Sequence, residues 1–425
     1  MRVRSHALLC TTLALGGAVG VTSMAHAGGF AIREQSAHFQ GSSFAGNAAG
    51  GALSSMFWNP AAVGQFNGIN TESTYAWIIP DSEITALPGS TLLGLGAESG
   101  NIGKQAIVPA SYLSYQLSPS VVLGVSFGAP FGLATEPSNR VWAGMTQART
   151  SKIETYNLQT ALAWRVSPTF ILGAGLQIER MEGTLKSANP FVAGFPNIVI
   201  RGDDVALGWT LGALWHATPT TTVGLGFRSS IEHNLEGGIG GAFPAPGDIE
   251  AGLKTPETVT LSLRQELGPR WTGLASVEWS NWSRLKSLDV ECTSASCGGG
   301  GTLVSLPLGW HDGWFFSLGA EYAWSPALTL RGGVAYEISP IQNADERPAR
   351  LPDSDRIWAS IGATYKWSEK ISVDLAYSHI FAEDADILRT DGGVLLRAET
   401  ESSVDILSVG LKIKLGDDPP PAPLK

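Results

Sequence analysis

Five histidines lie beyond residue 27: His38, His216, His233, His311 and His379. A nucleophilic site would need one of them within hydrogen-bond reach of a serine or cysteine and oriented by an acid. His216 falls at a short turn, His233 and His311 fall at the opposite ends of their strands, and the Gly-X-Ser-X-Gly of Gly124 to Gly128 lies along a strand pattern and forms no strand-to-helix elbow. The expectation is that the chain is not an enzyme and has no catalytic residue. Cys10 stands near the amino terminus, and Cys292 and Cys297 lie in Glu-Cys-Thr-Ser-Ala-Ser-Cys-Gly with no histidine or third thiol nearby. That pair can close a small disulfide loop in an oxidising compartment, with metal binding a second choice. No metal and no cofactor are expected. Gly298 to Gly301 lacks the Lys-Ser/Thr of a phosphate loop and reads as loop flexibility.

The remaining ionisable side chains recur with a strict rhythm. Along Thr258–Gln265, Val259, Leu261 and Leu263 alternate with Thr260, Ser262 and Arg264. A period of two puts the two sets on opposite faces of a strand. The stretch from Thr272 to Trp282 sets Ala275, Val277 and Trp279 against Ser276, Glu278 and Ser280, and the same pattern runs through 314–324, 328–336 and 371–377. Arg228, Arg264, Glu278, Glu321, Arg331, Glu337, Arg356, Asp374 and Lys412 all alternate against apolar residues. Enclosed charges must be paired or solvated, so a mixed-sign lumen network is expected, with Arg264, Glu278, Arg331, Glu337, Arg356 and Asp374 as members. A soluble β-sandwich or β-helix is the alternative, but a soluble sheet does not normally expose so many large apolar residues on one face.

Connections count the strands. Six are short, near Ser118-Pro119, Ser167-Pro168, Thr218-Pro219, Gly268-Pro269, Ser325-Pro326 and Ser368-Glu369. Seven are long, at about 81–103, 131–148, 182–204, 233–253, 283–310, 339–354 and 383–401. Short and long alternate, which gives an all-β chain forming a fourteen-stranded antiparallel transmembrane β-barrel with short periplasmic turns and long external loops. Both ends of the barrel then face the periplasm. Trp164, Trp215, Trp271, Trp324 and Trp367 each lie within a few residues of a short turn, as a girdle at one headgroup level requires.

Composition agrees. A hydrophobic content of 44% excludes a disordered chain, and 51 glycines without a three-residue period exclude collagen. With 28 basic against 38 acidic residues, no nucleic acid is expected as a partner. Arg2 and Arg4, the apolar stretch to Val21 and Ala25-His26-Ala27 read as a signal peptide over 1–27, with a single anchoring helix as the alternative. Residues 28–68 break the strand rhythm and, rich in Ala, Gly and Ser, suit short helices and turns inside a wall. The barrel spans 69–415, and 416–425 is a Pro-rich periplasmic tail.

The residues also carry a resemblance. Gly29-Phe30, Glu34-Gln35-Ser36, Phe44-Ala45-Gly46, Asn59-Pro60-Ala61, Ala129 to Leu133, Thr255 to Val259, Asn281-Trp282-Ser283, Arg350 to Trp358 and Tyr377 to Phe381 follow one another in order across the chain. Together they resemble the FadL/TodX outer-membrane transporters of long-chain fatty acids and other hydrophobic compounds. The carboxyl end departs from that pattern, because Lys412-Ile413-Lys414-Leu415 carries no terminal aromatic residue.

The resemblance implies a barrel plugged by an N-terminal hatch, in which Phe30, Glu34, Gln35, Ser36, Asn59, Pro60 and Ala61 are the matching residues. It implies capture of ligand in an apolar groove of the external loops, transfer to a pocket beside the hatch, and lateral exit at a kink in the third strand. Phe191, Val192, Phe195, Ile198, Val199 and Phe243 form an apolar cluster in loops that should be wet, which suits the groove. The third strand, Val121 to Phe127, runs into Gly128, Pro130, Phe131 and Gly132, where a missing donor and two poorly packing glycines should break the pairing. Arg33, Arg140 and Arg149 are the candidates for a fatty carboxylate's partner. The expected partners are hydrophobic small molecules, fatty acid or aromatic, with outer-membrane lipid and lipopolysaccharide around a monomer. An aromatic-hydrocarbon channel of the same mechanism, a general porin and a surface antigen or adhesin are the alternatives.

Overall fold

The computed structural model describes residues 28–415. The signal segment expected over 1–27 and the tail 416–425 lie outside the described residues. In chain order the strands are β1 (Ile69–Ala86), β2 (Ala106–Ser118), β3 (Val121–Gly128), β4 (Gly132–Thr135), β5 (Thr150–Ser167), β6 (Phe170–Ala188) and β7 (Asn197–Thr218). Then come β8 (Thr221–Arg228), β9 (Glu232–Gly241), β10 (Gly247–Lys254), β11 (Thr258–Glu266), β12 (Trp271–Ser280), β13 (Ser287–Cys292) and β14 (Thr302–Pro307). The last are β15 (Gly313–Ala323), β16 (Leu328–Ile338), β17 (Arg356–Lys366), β18 (Ile371–Ala382), β19 (Ala385–Asp391) and β20 (Val394–Lys414).

Fourteen of these strands form a closed antiparallel wall in the order β1-β2-β3-β5-β6-β7-β8-β11-β12-β15-β16-β17-β18-β20, and β20 returns to β1 from Asn70↔Lys414 to Ala86↔Ala398. Closure leaves no first or last strand without a neighbour, as hydrocarbon demands of a sheet. The other six strands extend the wall on the long-loop side: β4 continues β3, β9 and β10 form a hairpin beyond β8 and β11, β13 pairs with β14, and β19 folds back on β20. The stretches 182–204 and 233–253, read from sequence as loops, are therefore largely strand. Gly183, Gly202, Gly237 and Gly238 interrupt the apolar rhythm there, although Leu235, Ile239, Ile249 and Leu253 keep one face of the β9–β10 hairpin buried.

Period two decides what points where. On β6, Leu172, Leu176 and Ile178 are exposed outward, while Ile171, Gln177 and Glu179 are buried inward. The five tryptophans near the short turns are 52–74% exposed and form the expected belt. A shallow hollow of about 830 Å³ on the outer surface, lined by Tyr75, Trp77, Ile107, Ile361 and Leu407, faces the acyl chains of the bilayer.

Residues 28–68 pack inside this wall. A four-residue helix, Ala37–Gln40, is capped by Ser36, whose hydroxyl accepts from Phe39 N. Two 3-10 turns follow, Leu53–Phe57 and Pro60–Gln65, the second capped by Asn59 with proline at its first position. Asn59 Nδ2 also donates to Ala213 O of β7, Glu72 of β1 accepts from Ser54 N and Oγ, and Gln40 Nε2 donates to Ile406 O of β20. The segment thus touches strands from all around the barrel. On β8, a Cβ at Gly224 would stand 1.9 Å from Ala48 O and one at Gly226 1.8 Å from Trp58 O, so backbone meets backbone there and only glycine fits.

Candidate functional site

The third wall strand is interrupted where Gly128 and Pro130 predict it. β3 pairs with β5 up to Gly128↔Asn157, and β4 resumes with Gly132↔Glu154, leaving Ala129-Pro130-Phe131 between. On the other flank β2 follows β3 only to Ser111↔Phe127. Its remaining residues, Ala106–Ala110, pair with β1 on one side and have no ladder on the other among the described residues. Pro109 sits on that free edge, where a missing donor costs nothing.

The amino-terminal segment satisfies the interrupted backbone. Ile32 N donates to Pro130 O at 2.8 Å, Gly132 N donates to Phe30 O at 2.8 Å, and Gln35 Nε2 donates to Ala129 O at 2.8 Å. Thr155 Oγ1 of β5 donates to Phe131 O and accepts from Phe131 N. Each such group left bare in hydrocarbon would cost several kcal/mol, so the segment around 30–35 substitutes for a missing piece of wall. Gln35 fills the break itself: a Cβ on Gly128 would come within 2.5 Å of its Oε1, an atom that is buried without a partner.

Behind the break lies a cavity of about 50 Å³, lined by Phe57, Trp58, Phe131, Trp282 and Phe315 with Arg228. Phe30 packs edge-on against two of its lining rings, Trp282 (4.8 Å between centroids) and Phe131 (5.9 Å). Ligand pockets commonly measure ~300–1,000 Å³, so the cavity as it stands is too small for a bulky ligand.

The inward charges form two paired groups joined through the amino-terminal segment. In one, Arg33 bonds Glu278 at 2.8 Å and Glu337 at 3.4 Å, while Arg356 pairs with Glu337 and Asp353. In the other, Glu321 takes Arg264 at 2.6 Å and Arg331 at 2.8 Å, Asp374 takes Lys412 at 2.8 Å, and His38 lies 3.5 Å and 3.6 Å from those two carboxylates. Burial pushes the Glu34 carboxyl up to about 7, with Glu337 adding to the effect and Arg33 and Arg356 opposing it. Burial, aided by Arg331 and Lys412, pushes His38 down to about 3, against Asp374.

The three arginines singled out as carboxylate partners stand differently. Arg33 lines the cavity but is committed to two glutamates and stacks 3.7 Å over Phe315. Arg149 ties external loops together through Arg140 O, Asn197 Oδ1 and Phe195 O, and Arg140 is exposed. The arginine that sequence reasoning did not single out for this role is Arg228, which is 7% exposed and lies 4.5 Å over Phe57. Its cross-strand partners are the uncharged Thr210 and Thr258, a fact that register alone reveals.

The six apolar loop residues divide. Phe195 packs on a cluster with Trp142, Met145 and Leu396, whereas Ile198 and Phe243 join a second with Leu235, Ile239 and Leu253. Val199 pairs with Gly240, Val192 is half-exposed, and Phe191 is 93% exposed at the hairpin tip. Cys292 and Cys297 are joined, with Cα atoms 5.9 Å apart.

Comparison with known proteins gives a consistent result. Residues 18–414 match the family model described as outer membrane protein transport protein (OMPP1/FadL/TodX). The chain is 27% identical to the long-chain fatty acid transport protein of Escherichia coli O6:H1, over 93% of this chain and 97% of that one. Among solved structures, a Pseudomonas aeruginosa FadL homologue superposes with a TM-score of 0.82 at 24% identity, covering 91% of this chain and all of that one. The P. putida toluene transporter TodX superposes at 0.69 with 16% identity, covering 89% and 98%.

Proposed function

Because the chain belongs to the OMPP1/FadL/TodX family of outer-membrane transport proteins, we propose that it imports long-chain fatty acids or similar hydrophobic compounds, without an energy source, and releases them sideways into the bilayer. The observation that supports this reading is the break at Ala129-Pro130-Phe131, whose backbone is completed largely by the amino-terminal segment, with Thr155 of β5 bonding Phe131. Residues 28–68 are the hatch. Ligand collects on the apolar tips around Phe191, Val192, Phe195, Ile198, Val199 and Phe243, passes inward to the cavity under Phe30, and displaces the Phe30–Gln35 stretch. That displacement unmasks the gap between β2 and β4, and an apolar molecule slides from an aromatic cavity to acyl chains without crossing water. The barrel acts as a monomer whose outer face meets lipid and lipopolysaccharide, with both chain ends on the periplasmic side.

The filled lumen favours this over a general porin, which needs an open aqueous path. The aromatic lining of the cavity also suits a monoaromatic hydrocarbon, and the test separates the two. Uptake of radiolabelled oleate and of labelled toluene is measured in cells with and without the gene, with a folded barrel verified by heat-modifiable gel migration. Loss of oleate uptake on deletion supports a fatty-acid transporter, and loss for toluene alone supports the aromatic channel. No change for either, with a folded barrel present, rejects the reading.

A further inference from the structure

We propose that Arg228 anchors an anionic head group, so that the cavity under Phe30 selects carboxylate-bearing apolar molecules over neutral hydrocarbons. The inference rests on the transport reading above and deepens it. Arg228 closes β8 at the edge of the cavity, with 7% of its surface exposed. Among the described residues it has no ion-pair partner, in contrast to Arg33, Arg264 and Arg331 on the same lumen face. Its Nη1 makes two long hydrogen bonds, 3.4 Å to Phe57 O and 3.3 Å to Gln159 Oε1, and its Nη2 is buried with no partner at all. Glu179 and Glu278 act on it through space without pairing.

A guanidinium cannot shed its charge at any ordinary pH, so a buried one that lacks a counter-ion is a standing demand for an anion. Phosphate or sulfate would satisfy the charge but not the walls, which are Phe57, Trp58, Phe131, Trp282 and Phe315. A carboxylate on a hydrocarbon tail satisfies both: two oxygens for the fork of Arg228 and an apolar body for the rings. Elsewhere around the cavity Glu278 and Glu337 are balanced by Arg33 and Arg356, which leaves Arg228 as the cation without an assigned partner.

The test uses outer membranes carrying the full-length protein and measures binding of radiolabelled oleate and oleyl alcohol, two probes with the same tail and different heads. The wild type should bind oleate more tightly. Arg228→Gln should weaken oleate about 10- to 100-fold, the usual worth of a charge-assisted pair, and leave oleyl alcohol within about twofold. Arg228→Lys, which keeps the charge and loses the fork, should fall between. Heat-modifiable migration and the urea unfolding midpoint verify folding of each variant. Equal losses for both probes in a folded Arg228→Gln barrel, or no loss for either, would overturn the proposal while the wild type's binding upholds transport. Wild-type binding of the alcohol alone overturns the anchor and keeps the channel; binding of neither probe overturns both readings.

Discussion

Two interruptions of the barrel wall are mended by different means. In the third wall strand, Ala129-Pro130-Phe131 separates β3 from β4, and three of the five hydrogen bonds that complete it come from the amino-terminal segment. In the seventh, Ser229-Ser230-Ile231 separates β8 from β9, both of which pair with β7. There the repair belongs to the wall. Ser229 N donates to Trp209 O and its hydroxyl accepts from Trp209 N, while Thr255 N donates to Ile231 O and its hydroxyl accepts from Ile231 N. A break patched by its own strands is a permanent bend. A break patched by a segment from elsewhere in the chain is the one the proposed exit requires, a door where the other is a seam.

The sharpest way to break this contrast is to lock the first patch. Ala31 and Phe131 are an isolated antiparallel bridge pair, which puts their Cα atoms at about 4.5–5.5 Å, within disulfide range. Ala31→Cys with Phe131→Cys should reduce oleate uptake to the level of cells lacking the protein when oxidised, and restore it on reduction. Unaltered uptake by the oxidised form would remove the door. Wild-type cells with and without reductant control for the native Cys292–Cys297 bond.

The second break should respond in stability alone. Ser229→Ala strips Trp209 N of its acceptor and Thr255→Val strips Ile231 N, each worth ~1–3 kcal/mol for a buried donor left bare. Urea unfolding in lipid vesicles should shift by that order while uptake stays within about twofold. A tenfold loss of uptake with a folded barrel would make the seam a second door.

The smallest effect sharpens the hatch side. The Glu34 carboxyl, raised to about 7 by burial, contributes docking strength that is full below its ordinary 4.5 and lost as pH rises to about 7. His38, lowered to about 3, contributes docking strength that is full above its ordinary 6.5 and lost as pH falls. The two slopes oppose each other between 4.5 and 6.5, so docking should be level there and weaken on either side. Hydrogen exchange across residues 28–40, corrected for intrinsic rate, should quicken a few-fold from pH 6 to pH 8, and Glu34→Gln should abolish that rise. A rise unchanged in Glu34→Gln would assign it to another group.

The two breaks were unequally legible in sequence. Gly128-Ala129-Pro130-Phe131-Gly132 announces itself, because proline and glycine are incompatible with a continuous ladder. Ser229-Ser230-Ile231 has no such residue, and nothing in its composition marks a bend. The wall itself was readable, since one buried and one lipid-facing surface impose the alternation that Val259, Leu261 and Leu263 display. It faded in β9, where Gly237, Gly238, Gly240 and Gly241 dilute the apolar face, and in the first part of β7, where Arg201, Asp203 and Asp204 break it. The lumen charges were readable as a set but not as pairs: that Arg264 meets Glu321 while Arg228 meets no carboxylate among the described residues follows from register and from where residues 28–68 insert. The apolar loop residues were likewise found by type, but their division between two clusters depends on loop packing that leaves no periodic trace.

The closure of β20 onto β1 has a consequence for how the molecule is made. Gln40 accepts from Ser408, Gly29 donates to Asp353, and Lys412 reaches His38, contacts spanning more than three hundred residues of chain. Such pairings carry a large loop-closure cost and form late. Residues 29–40 therefore have no complete binding site until the last strand is present. A wall that sealed before they were inside would shut them out, so insertion of the hatch and zipping of the final ladder must be one concerted act of assembly.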